Sequence, residues 1–293
     1  MISIKRLIKD KRFQNIITIS LFVLYFVLGI LMVRDYGVST DEPQERKTMY
    51  VNMNYILTQL GRESMDVPEL ATYKDKYYGM AMQMPMCVFE LLGGEHLPLI
   101  YLCRHIYTFL ICYIGYIFFF LCIKKMLHSN LWGVIGTLML SLYPRFFAEQ
   151  FYNIKDMVFM SMFIISMWAT IELIENNFSK KWIAIFAVMV AITTNVRIVG
   201  IVFLMLVLGY LWLMVIMQSF YRDRLYKDLN WKKALGVTIS VLLIFIIIFA
   251  ASIPGIWENP IRGIYDVFVK FSDYSGGGNV VFMGNVMENT NIP

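Results

Sequence analysis

Ser39-Thr40-Asp41-Glu42-Pro43 places two adjacent carboxylates a few positions after an uncharged run of 18 residues, Ile16 to Val33. A run of that length approaches the roughly 20 apolar residues that cross a bilayer as a helix. The acids therefore stand where a membrane helix leaves the lipid, a place where a carboxylate is costly unless paired, hydrated or used. A carboxylate there can take the proton of a hydroxyl or ligate a hard divalent cation. A solvated loop start would show the same two residues.

A second group follows at Tyr143-Pro144-Arg145-Phe146-Phe147-Ala148-Glu149-Gln150-Phe151-Tyr152-Asn153-Ile154-Lys155-Asp156. Five aromatic rings and six charged or amide groups share one short connection. An aromatic belt at the membrane interface explains the rings. It explains Asn153-x-Lys155-Asp156 poorly, whereas a site that grips a lipid head group or a sugar needs both kinds of side chain. Arg104, Lys155 and Arg197 add cations at or near membrane depth. Arg197 interrupts two apolar runs and has no bland explanation in the sequence. Arg104 is as well explained by snorkelling to the interface, and His105 beside it reads as a packed, hydrogen-bonded residue.

The elements that must position these groups are membrane helices. The chain is 58% hydrophobic and 16% charged, with mean hydropathy +0.60, whereas soluble domains carry about 25% charged residues. Gly37-Val38-Ser39 has the small-x-small pattern of a leader cleavage site, but the preceding run exceeds the roughly 7–15 residues of a leader core, so it reads as a retained anchor. Further uncharged runs cover Ile106–Ile123, Met126–Pro144, Met157–Ile171, Trp182–Val196, Ile198–Tyr221 and Ala234–Trp257. The expectation is an all-α bundle of about seven spans in one domain, near 16–33, 99–123, 128–144, 157–174, 182–196, 198–217 and 234–253. Trp182–Val196 and its neighbour are separated by Arg197 alone, which suits either a tight hairpin or a broken helix.

Charge sets the expected orientation. Lys5, Arg6, Lys9, Lys11 and Arg12 precede the first run. Lys124-Lys125, Lys180-Lys181 and the group Arg222, Arg224, Lys227, Lys232 and Lys233 mark every second connection. These segments hold a balance of +9 against −4 for the rest of the chain, giving the net +5. They are expected in the cytoplasm of a multi-pass plasma-membrane protein, with Asp41, Asn153–Asp156, Arg197 and the tail from 254 on the outer face. The positive balance is a topology signal and implies no nucleic-acid partner.

The first outer loop, 34–97, is long. Tyr50, Met53, Leu57 and Leu60 recur at helical spacing within Glu42–Leu60, predicting a helix in the membrane interface. Tyr77–Leu92 is apolar but interrupted by Pro85 and Glu90, and reads as a second interfacial or re-entrant helix. Together they are expected to roof a cavity holding Asp41. In the tail, Ser275–Gly278 reads as a turn and Val280–Met283 as a short strand. Cys87, Cys103, Cys112 and Cys122 form no CxxC pair and read as packing residues. Nucleotide-binding glycine loops and HExxH are absent from the sequence. Asn177-Phe178-Ser179 matches a glycosylation sequon but lies on the cytoplasmic side of this topology.

Asp41-Glu42, Tyr78-Gly79, Arg104-His105, Pro144-Arg145-Phe146-Phe147-Ala148 with Asn153-Ile154-Lys155-Asp156, and Pro254-x-x-Trp257-x-Asn259-Pro260 resemble, in this order, membrane glycosyltransferases of the GT-C fold. The likeness is to the branch of protein O-mannosyltransferases and the lipid A aminoarabinose transferase. The resemblance implies a polyprenyl-phosphate-linked sugar as donor, an acceptor glycan, lipid or protein, and inverting transfer on the non-cytoplasmic face. It implies Asp41 as the base, Glu42 as its support, and a possible divalent metal, Mg²⁺ or Mn²⁺, at Asp41 and Asp156. Arg104, Lys155, Arg197, His105, Asn153 and Tyr78 would then serve the lipid phosphate and the donor. Relatives continue with further spans, so the resemblance also implies a fragment or short variant. An inactive remnant, an accessory subunit and a transporter of polyprenyl-linked glycans are the alternatives. A transporter would place its ions at mid-span, often in repeated halves, and neither pattern is visible in the sequence.

Overall fold

The apolar runs all become helices, and polar residues close their ends. The computed structural model describes residues 11–220, 229–272 and 279–288. Its helices are α1 (Lys11–Met32), α2 (Glu42–Gln59), α3 (Cys87–Gly93), α4 (Leu97–Leu127), α5 (Asn130–Ser141) and α6 (Pro144–Glu149). They continue as α7 (Asp156–Glu175), α8 (Lys180–Val196), α9 (Gly200–Phe220), α10 (Trp231–Ala251) and α11 (Pro260–Ser272), before a hairpin of β1 (Asn279–Phe282) and β2 (Asn285–Glu288). His96, Ser129 and Asn230 accept from the backbone N–H of Leu99, Trp132 and Lys233 at the starts of α4, α5 and α10. Such caps satisfy donors that a helix start leaves without partners.

Five helices are long and apolar enough to cross a membrane: Lys11–Asp35, Leu97–Leu127, Asp156–Glu175, Gly200–Gln218 and Trp231–Ala251. The segments expected at 128–144 and 182–196 are shorter helices, with 12 residues in α5 and 17 in α8. At 1.5 Å per residue they reach about 18 Å and 26 Å, short of a hydrocarbon core of about 30 Å. Pro144 opens α6 instead of prolonging α5, because proline cannot donate to the turn before it. Arg197 is extended, at φ −142° and ψ 123°. Beyond it α9 runs beside α8, with the Phe186 and Phe203 rings 6.4 Å apart. The pair is a hairpin.

α8 is the buried centre, packed against α7, α9 and α10. Phe186, Ala187, Val190 and Ala191 of α8 share a core with Leu173, Val241 and Phe249. Ser166 and Thr193 hydrogen-bond at 2.9 Å between α7 and α8. α4 packs on α5 and α7, while α1 is mostly exposed along its length, as a lipid-facing helix is.

Contacts sort the helix ends into two sides. Lys125 at the end of α4 pairs with Glu172 and Glu175 at the end of α7. Lys233 at the start of α10 donates to Asn177 between α7 and α8, and Asn130 at the start of α5 donates to Asn15 of α1. The basic connections thus gather at one end of the bundle. Lys5, Arg6, Lys9, Arg222, Arg224, Lys227 and the Ser275–Gly278 turn lie outside the described residues.

The loop from 34 to 97 departs from its expected form. α2 forms, and its covered side carries Glu42, Glu45, Met49 and Asn52; the expected apolar positions Tyr50, Met53 and Leu57 are partly covered beside it, and Leu60, just past the helix, is 72% exposed. Tyr77–Leu92 is not one helix. It is turns up to Gln83, a single 3₁₀ turn at Met84–Met86 and then the seven residues of α3. Pro85 and Gly79 are the breaks. In the tail, α11 was not legible, and the expected strand near Val280–Met283 pairs in an antiparallel hairpin across Met283-Gly284, at φ 49° and 83°.

Gly115 tests the α4–α7 contact. A Cβ there would lie 2.7 Å from Ser161 Cβ and Oγ, whereas one at Gly209 would meet nothing within 4 Å. Gly115→Leu is expected to cost about 1–3 kcal/mol, and Gly209→Ala to leave stability unchanged or raise it slightly. Thermal unfolding of both in detergent checks this, and equal melting temperatures would contradict the packing.

Candidate functional site

The site is built from the start of α2. Carboxylates favour a helix N-terminus, where backbone N–H groups point outward, and three of them occupy this one. Glu42 is 3% exposed. It accepts from Ser39 N at 2.6 Å and from His105 Nε2 of α4 at 2.8 Å. Glu45, one turn on, is 4% exposed. It pairs with Lys155 and accepts from Gln83 Nε2. Asp41 sits at the exposed cap position and makes no cap hydrogen bond. Among the described residues its carboxylate has no ion-pair or hydrogen-bond partner.

Asp41 lies on the seam of two chambers. The larger, about 780 Å³, is lined by polar side chains, among them Asp41, Gln44, Glu45, Lys155 and Arg197, and by apolar ones, among them Val199, Phe249, Ile253, Val267 and Phe271. The smaller, about 240 Å³, is lined by Ser39 to Glu42, Glu45, Tyr152 to Asp156 and Arg197. Asp41, Glu45, Lys155 and Arg197 border both. The loop that carries Tyr78 is tied down by Asn195: Ala81 N donates to Asn195 Oδ1 at 2.8 Å, and Met80 N to Ser252 O at 2.9 Å. A Cβ on Gly79 would lie 2.2 Å from Asn195 Cγ and O, so only glycine lets the loop approach that closely.

The expected site residues divide into two groups. Asp41, Lys155, Arg197 and Tyr78 meet at the larger chamber. Lys155 Nζ lies 4.5 Å from the centre of the Tyr78 ring. Arg197 Nη2 is 2.5 Å from Asp156 Oδ1, and its buried Nε has no hydrogen-bond partner among the described residues. Asn153 lines the smaller chamber but is spent on shape: its Oδ1 accepts from Asp156 N at 2.8 Å and its Nδ2 donates to Glu149 at 2.7 Å. Arg104 and His105 border neither chamber. Arg104 is 2% exposed and donates to Met49 Sδ at 3.7 Å, with the carboxylates of Glu90 and Glu42 acting on it from nearby. Both residues hold α2 from beneath.

Comparison of the chain with protein-family profiles, with curated proteins and with solved structures returns no match. The reading of the site therefore rests on its residues. Glu42, Asp41 and Asp156 border one chamber, but among the described residues no three His, Cys, Asp or Glu side chains gather to hold a metal ion. Asp156 is also engaged by Arg197. Asp41 is the one of these carboxylates left without a partner among the described residues.

Glu45 and Asn195 were not legible as site residues. Asp41-x-x-x-Glu45 is one helical turn, so the spacing does place both on one face. Asp41 was expected in the cavity but Glu45 was read with the polar positions away from the apolar stripe, and its partners lie far along the chain.

Behind Glu45 a second buried pair locks α2 to α3. Arg46 Nε and Nη2 donate to the two oxygens of Glu90 at 2.9 and 2.7 Å, and Tyr50 OH donates to Glu90 Oε2 at 2.8 Å. Burial alone would raise the Glu90 pKa, but the bonds from Arg46 and Tyr50 outweigh it and hold the carboxyl below its ordinary 4.5. Burial raises the Tyr77 phenol at the chamber wall, and Asp266 adds to the effect. A depressed carboxyl stabilises the fold above its unfolded pKa, and this is lost as pH falls through the folded value. Glu90→Gln is expected to cost about 2 kcal/mol at neutral pH, the scale of hydrogen bonds to a charged group. Its deficit against wild type should shrink below the ordinary glutamate range. Thermal unfolding across a pH series checks it; a deficit independent of pH would contradict the ionised pair.

Proposed function

We propose that the chain is a membrane glycosyltransferase that moves a sugar from a polyprenyl-phosphate donor to an acceptor hydroxyl, as its resemblance to the GT-C enzymes implies. The observation that carries this reading is Asp41. Of the four carboxylates bordering the smaller chamber, Glu42, Glu45 and Asp156 are paired, and Asp41 alone is without a partner among the described residues. An unpaired carboxylate at the wall of a chamber that a hydroxyl can enter is a competent general base. The larger chamber supports the donor class. Its lining combines the charged groups Asp41, Glu45, Lys155 and Arg197 with apolar ones such as Phe249, Ile253 and Phe271, a mixture that suits an amphiphile with a phosphate.

The acceptor oxygen gives its proton to Asp41 as it bonds to the anomeric carbon from the side opposite the phosphate. The bond from that carbon to the phosphate oxygen breaks, and its electron pair leaves with the lipid phosphate. Lys155 and Arg197 face the growing negative charge, and fixed cations in a partly dry site are effective there. The free Arg197 Nε–H is a donor in reserve for that oxygen. Glu45 keeps Lys155 in place, and Glu42 with His105 keeps Asp41 at the seam. The ions cluster at one end of the bundle and not at mid-depth, which favours an enzyme over a transporter.

In this reading α5 and α8 complete seven crossings, the basic ends are cytoplasmic, and the chambers open on the outer face of the plasma membrane. A single cysteine at Asn130 or Ser179 is expected to resist an impermeant thiol reagent applied from outside, and one at Glu258 to react. The reverse pattern would invert the topology.

Asp41→Asn keeps shape and removes the base. Turnover is expected to fall about 10²- to 10⁴-fold, with donor affinity nearly unchanged. Arg197→Ala should instead weaken donor binding about 10- to 100-fold, the loss of a charged hydrogen bond of about 1.5–3 kcal/mol. Transfer from a purified polyprenyl-phosphate sugar, with donor affinity measured for each variant, distinguishes them. Near-normal turnover of Asp41→Asn would end the assignment.

A further inference from the structure

α11 has two apolar faces, and only one is used by the fold. Gly263 and Val267 are buried, and Val267 and Phe271 line the larger chamber. A Cβ on Gly263 would come within 2.4 Å of Ile256 Cβ, so this face is locked inward. On the other side Ile261, Tyr265 and Val269 are 88%, 69% and 46% exposed. They recur at every fourth position and therefore form one stripe along the helix. Arg262 stands exposed beside the stripe, and Lys270 is turned away from it, donating to Lys74 O at 2.7 Å.

We infer that α11 lies in the membrane interface on the face where the chambers open, with Ile261, Tyr265 and Val269 embedded between headgroups and acyl chains. Its position in the chain selects lipid as the occupant. α10 is long and apolar enough to cross the membrane, and Leu243, Ile246 and Ile247 on it are 57%, 47% and 63% exposed. A short connection containing one 3₁₀ turn, Pro254–Ile256, joins α10 to α11. Trp257 Nε1–H donates to Ala250 O at 3.1 Å, holding that connection against the end of α10. α11 therefore starts at the depth where α10 leaves the hydrocarbon. The apolar wall of α10 continues through the exposed Trp257 to the stripe. Trp and Tyr are the rings that favour this depth. An Arg at the edge lays its stem on apolar surface with its charge among headgroups. Because Val267 and Phe271 face the chamber, one chamber wall is then a membrane-surface helix, and its mouth lies at headgroup level.

The inference does not depend on the proposed reaction, and its test reads no activity. In the full chain, Cys87, Cys103, Cys112 and Cys122 are replaced by alanine, and single cysteines at Ile261, Tyr265, Val269, Arg262 or Asp266 carry a fluorophore. The protein is placed in vesicles of phosphatidylethanolamine and phosphatidylglycerol. A nitroxide on the upper acyl chain is expected to quench labels at 261, 265 and 269 several-fold more than at 262 and 266, and aqueous iodide to show the opposite order. Equal iodide quenching at all five positions would overturn the inference. So would protection of the stripe from both quenchers, which would mark a protein, such as a second copy, as its cover. Unmodified protein gives a second measurement: a photoactivatable phospholipid should label peptides of both α10 and α11. Adducts on α10 without any on α11 would reject the assignment.

Discussion

A buried carboxylate without a partner is too costly for a fold to tolerate, and α2 turns that cost into position. Its covered face carries Glu42 and Glu45, and Arg46 beside them reaches Glu90. Each finds its partner on a different element: His105 on α4, Lys155 just before α7, Gln83 in the loop, and Glu90 on α3. Removing one partner would leave a charge in a dry place, so α2 can sit in few places. The loop over the site is held chiefly by charge, with Met49 and Val51 packed between.

The same arrangement explains why one acid is left over. Asp41 stands one residue before the buried pairs, at the cap position, where the helix start enters the chambers. Its neighbours are neutralised pairwise and it is not. The pairing around it keeps Lys155 and Arg197 from collapsing onto it. The polar chamber is thus a by-product of how the buried charges are matched.

Below the site, the bundle relies on small residues and local hydroxyl bonds. Gly115 lets α4 approach Ser161 of α7, and Ser166 meets Thr193 across α7 and α8. In lipid there is little hydrophobic gain from joining two apolar helices, so close backbone approach and buried hydrogen bonds carry more of the association. That makes the helix framework stiff beneath a loop whose shape depends on ion pairs. The apolar residues of the larger chamber's lining, Phe249 of α10 and Phe271 of α11 among them, join the two regimes.

Hydropathy by itself determined that the chain is a membrane protein built mainly of helices, because burying an unpaired backbone in lipid leaves the helix as the form for each long apolar run. Lys124, Lys125 and Lys233 marked connections that do gather at one end, since charge patterning along the chain records which ends face alike. Asp41, Lys155 and Arg197 stood out in the sequence because charged groups beside apolar runs are unusual, and Tyr78 through the family resemblance; the fold brings all four to the lining of one chamber. Tertiary structure alone decided the rest. Only α5 and α8 fell short of spanning length, α5 because Pro144 opens a new helix and α8 because the chain turns extended at Arg197. The covered side of α2 includes Glu42 and Glu45, which its apolar spacing did not indicate, because Lys155 and His105 arrive from distant sequence. Arg104 and His105 brace α2 instead of bordering the chambers. Spacing reports which residues share a face. Whether that face meets lipid, water or an oppositely charged partner depends on what the fold brings opposite it.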